Sequence, residues 1–285
     1  MEVKSVAVIG AGTMGNGIAQ VIAASGIGVV MTDINDAGLK RGLDAIDKSL
    51  QRLVSKQKLN AGDKDALLAR IRTTTRLEDI ADCEVVVEAA TENVDLKLKI
   101  FADLDRIAKT TAVLASNTSS ISLTRIAGST KRPAQVIGMH FFNPVPVMPL
   151  VELIRALQTS DATYQTIRTL TEKLGKSPVE VKNSPGFVGN RILLPMINEA
   201  VYCLHEGLAT AEDIDSVMKL GMGHPMGPLA LADLIGLDTC LAILQVLYEG
   251  FKDPKYRPCL LWQEKVDAGE LGRKSGRGFF VYDNK

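Results

Sequence analysis

Apolar and polar positions in the first two thirds of the chain follow a pattern typical of βαβ units. The β-branched runs "SVAVIG" and "GVVMTD" are separated by "GNGIAQVIAAS" and followed by a helical period from about Asn35 to Lys56. Helical patterns recur at 95–108 and 161–174, and the further strand candidates are 71–75, 84–90, 112–116, 135–140, 149–154 and 177–182. Because runs such as "VVV" are continuously apolar, the pattern predicts a mainly parallel sheet with helices on both faces.

The pattern changes after "NSPGF" (183–187). Helical periodicity then runs through "NRILLPMINEAVYCLHEG", "AEDIDSVMKLG" and "PLALADLIGLDTCLAILQVLYEGF", and a strand-like run returns only in "GFFVYD". Pro185 and Gly186 lie between the two regions, and both residue types commonly interrupt helices and strands. We therefore predict an α/β domain over 1–185 and an all-α domain over 186–285.

Charge and length limit the partners that this chain can have. Its 285 residues include 33 basic and 33 acidic side chains, so no net charge draws it toward nucleic acid or an anionic membrane. The uncharged stretch between Lys4 and Asp33 is long enough to span a membrane, but six glycines and several polar residues make it a poor span and a poor signal peptide. We expect no nucleic-acid or membrane partner, and any anionic ligand must be held locally.

Cysteine and histidine usage argues against disulfides and metals. Three histidines are too few for a His-based metal cluster, so no metal is expected. No CxxC pair occurs, which indicates reduced thiols and a cytoplasmic protein; the four cysteines are Cys83, Cys203, Cys240 and Cys259.

The glycine spacing in "GAGTMG" is the strongest local motif. Gly10, Gly12 and Gly15 match G-x-G-x-x-G between a predicted strand and a predicted helix, and Thr13 and Met14 within the motif are further cofactor-binding candidates. In this context the first glycine permits a tight turn, the second lets a pyrophosphate approach the backbone, and the third lets helix and strand pack closely. The motif predicts a Rossmann-type dinucleotide-binding domain.

An acidic residue at the end of the second strand indicates which dinucleotide binds. Asp33 follows Gly10 by 23 residues, where a carboxylate accepts from ribose hydroxyls and repels a 2′-phosphate. We therefore predict NAD over NADP, with FAD as a lesser alternative. The alternative interpretation involves no ligand: the glycines only tighten a turn, and Asp33 is a solvated residue at the end of a strand.

Residues after the next two strands are candidates for the rest of the cofactor site. Ligands of open α/β sheets gather at the carboxyl ends of strands. Glu92 and Asn117 follow two such strands, and Lys97 stands near the start of the next helix. Glu92 and Lys97 can equally be a solvated charge pair.

His140 is the best candidate to move a proton. It ends the strand "QVIGMH" before the Pro-rich turn "FFNPVPVMP", whereas His205 and His224 lie in the helical part and are interpreted as structural. A carboxylate beside such an imidazole fixes its tautomer, and Glu152 in "PLVELI" is suited to that role. A hydrogen-bonded core histidine, or another partner for Glu152, remains the alternative.

Two further patterns are compatible with substrate binding. "SNTSSIS" (116–122) groups hydroxyls after a strand, where they can bind a substrate oxygen or cap the next helix. Asn190 in "GNRILLP" is an uncharged donor suited to a carbonyl oxygen. Neither pattern is specific alone.

Six motifs in order carry a resemblance to a known family over essentially the whole chain. They are "GAGTMG", "EAATEN", "ASNTSS", "GMHFFNPVPVM", "NSPGF…NR" and "GRKSGRGFFVY". Together they resemble the L-3-hydroxyacyl-CoA dehydrogenases, and most closely the bacterial enzymes acting on 3-hydroxybutyryl-CoA. "HFFNPVPVM" and "SNTSS" are specific to that family and its near relatives, whereas the glycine motif is shared by many dehydrogenases.

The resemblance implies roles for individual residues. His140 is the implied general base or acid, oriented by Glu152, while Ser119 and Asn190 hold the substrate. The implied nicotinamide-site residues are Glu92, Lys97 and Asn117, and the implied coenzyme A contacts are Ser49, Lys56, Asn143 and Lys274.

The resemblance also implies an NAD-dependent reaction between (S)-3-hydroxybutyryl-CoA and acetoacetyl-CoA and a homodimer formed through the helical region. The basic runs "KQK" (56–58) and "GRK" (272–274) provide cations for coenzyme A phosphates, unless they are simply solvated faces. A dehydrogenase of free sugar acids and a non-catalytic NAD-binding protein are the rival interpretations.

Overall fold

The strands in the first two thirds of the chain form one eight-stranded sheet, and helices connect many of them. The computed structural model describes residues 3–282 and divides between Asn183 and Ser184 into two units. The strands of the first unit are β1 (Ser5–Ile9), β2 (Gly28–Thr32), β3 (Ile71–Thr74), β4 (Val85–Glu88), β5 (Val113–Ser116), β6 (Val136–Phe141), β7 (Leu150–Arg155) and β8 (Ser177–Lys182).

The sheet is parallel throughout except at one pair. Its strand order is β3-β2-β1-β4-β5-β6-β7-β8, and only β6 and β7 run antiparallel. Val85, Val86 and Val87 are completely buried, as expected of a strand covered on both faces. The predicted mainly parallel sheet with helices is confirmed.

The helices of the first unit are α1 (Thr13–Ala24), α2 (Asp36–Ser55), α3 (Ala61–Leu68), α4 (Val94–Ile107), α5 (Leu123–Gly128) and α6 (Asp161–Lys173). Four of these six helices, α2, α4, α5 and α6, begin where a polar side chain accepts from a free backbone N–H group. Asn35 Oδ1 accepts from Gly38 N at 2.8 Å, and Asn93 Oδ1 accepts from Leu96 N at 2.9 Å. The short α3 and α5 were not predicted, because α3 buries only Leu67 and so lacks an apolar stripe.

The second unit is helical around its own core. Its helices are α7 (Gly189–His205), α8 (Ala211–Ser216), α9 (Pro228–Ile235), α10 (Leu237–Phe251) and α11 (Leu260–Asp267), with a π-helical turn at Val217–Gly221. Trp262 is fully buried, and its indole N–H donates to Asn198 Oδ1 at 2.9 Å. That buried amide also accepts from Cys259 N, so it joins α7 to the start of α11.

The predicted helical run over 228–251 is interrupted. Gly236 has φ +105°, and α9 and α10 meet there at 99°. Only glycine adopts such a backbone without strain, so the chain turns while both apolar faces reach the same core. The predicted strand-like run "GFFVYD" forms only an isolated bridge at Val281 within the described residues.

Four cysteines are free thiols. Burial raises the pKa of Cys83 to about 11 and that of Cys240 to about 12, so both stay protonated near neutrality. Within 3–282, no single helix is long and apolar enough to cross a membrane. Helices α9 and α10 meet the length and composition criteria only when they are counted together across the bend between them.

Asp233 on α9 secures the C-terminal segment of the second unit. Its buried carboxylate accepts from Phe279 N, Phe280 N and the Tyr282 hydroxyl, each at 2.9 Å. A Cβ on Gly278 would lie 1.9 Å from Asp233 Oδ1. Much of the "GRKSGRGFFVY" motif is therefore explained by packing around one carboxylate.

Replacing Asp233 with asparagine should destabilise the protein by about 2–3 kcal/mol, because an amide group cannot accept from all three donors and leaves buried N–H groups unpaired. Urea unfolding of Asp233→Asn measures this. The control Asp267→Asn removes an exposed carboxylate of α11 and should change stability by less than about 0.5 kcal/mol. Equal effects would show that the Asp233 contacts are not stabilising.

Candidate functional site

A ligand-binding crevice is expected where the order of the strands in the sheet reverses, between β1 and β4. β2 and β3 lie on one side of β1 and β4 lies on the other, so the loops after β1 and β4 separate at the carboxyl ends of the strands. Gly10 follows β1 with φ +98°, and a Cβ there would lie 2.8 Å from both Ala89 O and Ala90 Cα. Dinucleotides bind at this kind of switch point.

The reason why glycine occupies the motif position differs between the three glycines. A Cβ on Gly15 would lie 1.8 Å from the carbonyl oxygen of Gly10, so helix and turn require glycine there. Gly12 has an ordinary φ of −64°, and a Cβ on it would meet nothing within 4 Å. The fold itself therefore does not require glycine at 12, and space for a ligand explains it.

The start of α1 suits a phosphate. No side chain caps its first turn, and no acidic residue lies there. Its free N–H groups and the positive end of the helix dipole directly follow the glycine turn, with Thr13 and Met14 in the first turn. These features fit a dinucleotide diphosphate.

Asp33 is joined to the glycine turn. Its Oδ2 accepts from Ala11 N and its Oδ1 from Ile34 N, both at 2.8 Å. A Cβ on Gly38 would lie 2.8 Å from Asp33 Oδ1, which keeps the start of α2 against the carboxylate. Each oxygen retains a second lone pair, so hydroxyl groups of a ribose can still donate to it.

A buried ion pair lies beside the crevice. Glu88 ends β4 completely buried, and the Lys97 ammonium of α4, 1% exposed, pairs with its Oε2. Ser116 Oγ donates to the same oxygen at 2.9 Å, while Glu88 Oε1 accepts from Ala90 N at 2.9 Å. Lys97 thus contacts protein groups here, and its predicted contact with the nicotinamide half stays a prediction.

Side-chain oxygens accept from every backbone N–H of residues 118–121. The pairs are Thr118 N with Ser116 Oγ, Ser119 N with Glu92 Oε1, and both Ser120 N and Ile121 N with Thr118 Oγ1. Thr118 Oγ1 in turn donates to Glu92 Oε2 at 2.8 Å. The "SNTSS" cluster therefore shapes its own loop, and within residues 3–282 the Ser119 hydroxyl forms no hydrogen bond.

Asn117 links the ends of three strands. Its backbone N donates to Glu88 O at 2.8 Å, and its side-chain Oδ1 accepts from Phe141 N at 2.9 Å. The residue before Phe141 is His140, so Asn117 holds the backbone next to the candidate proton carrier.

His140 and Glu152 face each other across the antiparallel pair. They are register partners on β6 and β7, and His140 Nδ1 lies 2.8 Å from Glu152 Oε2. Their exposed fractions are 7% and 2%, so solvent screens the interaction little. The predicted partnership of these side chains is present in the structure, and their catalytic roles stay predictions.

The turn after His140 is held by a lysine that the sequence did not single out. Lys176 is buried, and its ammonium donates to Val145 O at 2.6 Å and Met148 O at 2.7 Å. Burial lowers the pKa of Lys176. Val145 also packs where a Cβ on Gly17 of α1 would lie, so the turn is fixed against the first helix.

The predicted coenzyme A residues are distributed over both units. Ser49 is half-buried on α2, Lys56 is exposed at its C-terminal end, and Asn143 is exposed after β6. Lys274 lies in the second unit and donates to both carboxylate oxygens of Asp238, at 2.5 and 2.7 Å. Burial raises the pKa of Asp238, but the hydrogen bond and charge of Lys274 outweigh it and keep that pKa low.

The remaining predicted residue, Asn190, lies in the first turn of α7 in the second unit. His205 is exposed at the end of that helix, and His224 is half-buried. In the described part of the chain, 3–282, no three His, Cys, Asp or Glu side chains group as metal ligands.

The structure adds Glu88, Ser116 and Thr118 as site-shaping residues. A buried glutamate after three valines was a usable signal for Glu88, because an ionised carboxylate in such a position needs partners. The roles of Ser116 and Thr118 depend on loop geometry that spacing alone does not reveal.

Comparisons with known proteins point to one family. Residues 5–184 match the NAD binding domain of 3-hydroxyacyl-CoA dehydrogenase, and residues 186–282 match the C-terminal domain of 3-hydroxyacyl-CoA dehydrogenase. A probable 3-hydroxybutyryl-CoA dehydrogenase of Bacillus subtilis is 53% identical over 100% of this chain and 99% of its own length. The crystal structure of (S)-3-hydroxybutyryl-CoA dehydrogenase from Ralstonia eutropha has 57% identity and a TM-score of 0.96, covering 99% of this chain and 100% of that one.

Gly12→Ala should weaken NADH binding about tenfold or more without lowering the melting temperature, because the added methyl group meets no protein atom but obstructs the approach of a diphosphate. Fluorescence titration with NADH and thermal unfolding measure the two effects. The matched variant Gly15→Ala should instead lower the melting temperature. Normal NADH binding by Gly12→Ala would mean that the diphosphate lies elsewhere.

Proposed function

The chain belongs to the 3-hydroxyacyl-CoA dehydrogenase family, and on that premise we propose that it interconverts (S)-3-hydroxybutyryl-CoA and acetoacetyl-CoA. It is an NAD-dependent 3-hydroxyacyl-CoA dehydrogenase. The observation that carries the proposal is the buried pair of His140 and Glu152 at the carboxyl end of β6. A dehydrogenase acting on an alcohol needs a proton acceptor in such a place.

NAD supplies a hydride acceptor when it is bound. The residues that would hold it are those of the glycine turn and Asp33, with Glu92, Lys97 and Asn117 as the candidates for its nicotinamide half. His140 takes the hydroxyl proton during oxidation and returns it during reduction. Its burial keeps water from competing for that proton.

Glu152 orients His140 and stabilises its charged form. With Nδ1 directed at Glu152 Oε2, the neutral ring carries its proton on Nδ1, and Nε2 becomes the atom that accepts the substrate proton. The resulting imidazolium lies beside a carboxylate, which lowers the free energy of that state. Both side chains are on rigid sheet strands, so the ring orientation is fixed before substrate binds.

Ser119 and Asn190 are proposed to hold the 3-oxygen and the thioester region of the substrate. The resemblance of the motifs supports Ser49, Lys56, Asn143 and Lys274 as coenzyme A contacts. Lys274 already has a carboxylate partner, so binding a phosphate there requires sharing its ammonium between two anions. We further propose that residues 1–185 are the NAD-binding domain, that residues 186–285 are a helical domain for substrate binding and homodimer formation, and that the enzyme is cytoplasmic.

His140→Ala should lower kcat by two or more orders of magnitude, because the proton acceptor is removed while the nucleotide site is untouched. Steady-state kinetics with acetoacetyl-CoA, together with NADH titration, separates these effects. The matched control His205→Ala removes an exposed imidazole and should keep normal turnover. A His140 variant with most of its turnover would remove this residue from the mechanism.

Parallel assays of acetoacetyl-CoA, longer 3-ketoacyl-CoA thioesters and free keto acids should give the highest rate with acetoacetyl-CoA and NADH. NADPH should react more slowly, because Asp33 repels a 2′-phosphate. The absorbance of NADH measures each rate. Activity on free acids alone would favour a sugar-acid type of dehydrogenase, and no activity on any acyl-CoA or free acid would favour a non-catalytic NAD-binding protein.

A further inference from the structure

We propose that Gly38, in the first turn of α2, is a positioning residue that sets the place of the Asp33 carboxylate and thereby the preference for NADH over NADPH. The inference rests on the proposed function, because Asp33 is one of the residues assigned there to NAD. Gly38 has no side chain with which to bind a ligand, so its effect passes through Asp33.

Two glycines occupy the first two turns of α2, although glycine is a poor helix former. Gly38 and Gly42 are one helical turn apart, and both are buried. Neither has a positive φ, so the backbone conformation does not require glycine at either position. The requirement is therefore one of space.

Atoms of the glycine turn and of Asp33 fill the space that side chains on α2 would need. A Cβ on Gly38 would lie 2.8 Å from Asp33 Oδ1 and 3.0 Å from Asp33 Cγ. A Cβ on Gly42 would lie 2.8 Å from Ala11 O and 3.0 Å from Ala11 Cβ. Because these separations are shorter than van der Waals contact, α2 reaches its place only with glycine at both positions.

The two contacts differ in what an added methyl group would displace. Ala11 O is part of the backbone, so a side chain at position 42 would push α2 away from the glycine turn. At position 38 the three nearest atoms all belong to the carboxyl group of Asp33. A methyl group on Gly38 would therefore displace that carboxylate while leaving the backbone around it in place.

Hydrogen bonds hold the same carboxylate from its other sides. Asp33 Oδ2 accepts from Ala11 N and Oδ1 accepts from Ile34 N, both at 2.8 Å. Moving the carboxylate away from a methyl group at position 38 lengthens or bends these bonds. The lone pairs left for ribose hydroxyls keep one direction only while all these contacts persist.

Asn35 holds Gly38 in place from the start of the helix. Its Oδ1 accepts from Gly38 N at 2.8 Å, so this residue is fixed at its N–H as well as by the contact of its Cα side with Asp33. Free N–H groups at a helix start can bind phosphate. A 2′-phosphate would therefore meet a fixed carboxylate and an N–H group that already has an acceptor.

The experiment compares Gly38→Ala, Asp33→Ala and the double variant Gly38→Ala/Asp33→Ala by fluorescence titration with NADH and with NADPH. We expect Gly38→Ala to raise the NADH dissociation constant about tenfold or more, because the ribose hydroxyls lose an aligned charged acceptor. The NADPH dissociation constant should change less, so the preference for NADH should fall about fivefold or more. The value of kcat at saturating NADH should stay within about twofold, as expected when only binding is weakened.

Gly62→Ala is the matched control. Gly62 also lies in the first turn of a helix, α3, and a Cβ on it would meet no atom within 4 Å. This variant should keep the affinity and the nucleotide preference of the wild type. A Gly38→Ala variant that behaves like Gly62→Ala, or one that loses NADH and NADPH affinity equally, would overturn the proposal.

The double variant separates positioning from a general loosening of the fold. Asp33→Ala removes the atoms that a methyl group at position 38 would meet, so Gly38→Ala should then cause no further loss of NADH affinity or of melting temperature. In the wild-type background the same change should lower the melting temperature. Additive losses in the double variant would contradict the proposal.

Folding and activity are controlled separately. If Gly38→Ala did not fold, recovery of folding in the double variant would support the proposal, and unfolding of the double variant while Asp33→Ala folds would overturn it. If the wild-type protein did not reduce acetoacetyl-CoA, the proposed function would fail, whereas the nucleotide titrations and melting temperatures would still decide the role of Gly38.

Discussion

Backbone amides at and beyond the carboxyl ends of buried strands need acceptors that the sheet no longer provides. In the first unit these acceptors are side chains: Asp33 accepts from Ala11 N, Glu88 from Ala90 N, and Asn117 from Phe141 N. The first and third pairs each join a strand end or its loop to a neighbouring strand, whereas the second holds the loop after β4 to the end of its own strand. Because an unpaired buried N–H is costly, this requirement concentrates polar side chains at the edge of the sheet where ligands also bind.

The same requirement explains how much of the candidate site the sequence could predict. The glycine motif was predictable because its reasons are local: a positive φ at Gly10 and the contact of Gly15 with the turn. The pairing of His140 with Glu152 was predictable because the two residues lie on consecutive predicted strands and because a buried, unpaired carboxylate is costly. The anchoring by Glu92 was not predictable, because an acceptor for a loop amide and a ligand for a ribose have the same residue type and the same position after a strand.

The sequence predicted the fold correctly where the apolar pattern determines the structure. It failed where a single residue determines the structure, as at the turn between α9 and α10. Each strand of the first unit overlaps a predicted run. In the inner strands such as β4, burial on both faces leaves a continuous apolar signal. The turn at Gly236 interrupts a helical period that continues on both sides of it, so periodicity alone cannot locate the break. Helix α5 has only six residues, too few to show a period.

Exposure separates side chains that hold the backbone from those available to a ligand, even between neighbours of similar chemistry. Thr118 is completely buried and bonds both the loop and Glu92, whereas the adjacent Ser119 is half-buried and contributes only its backbone to that network. Lys97 and Lys176 are buried against protein oxygens, whereas Lys56 is exposed. In a chain without net charge, an exposed cation such as Lys56 is accessible to an anionic substrate, while the buried ones define the shape of the site.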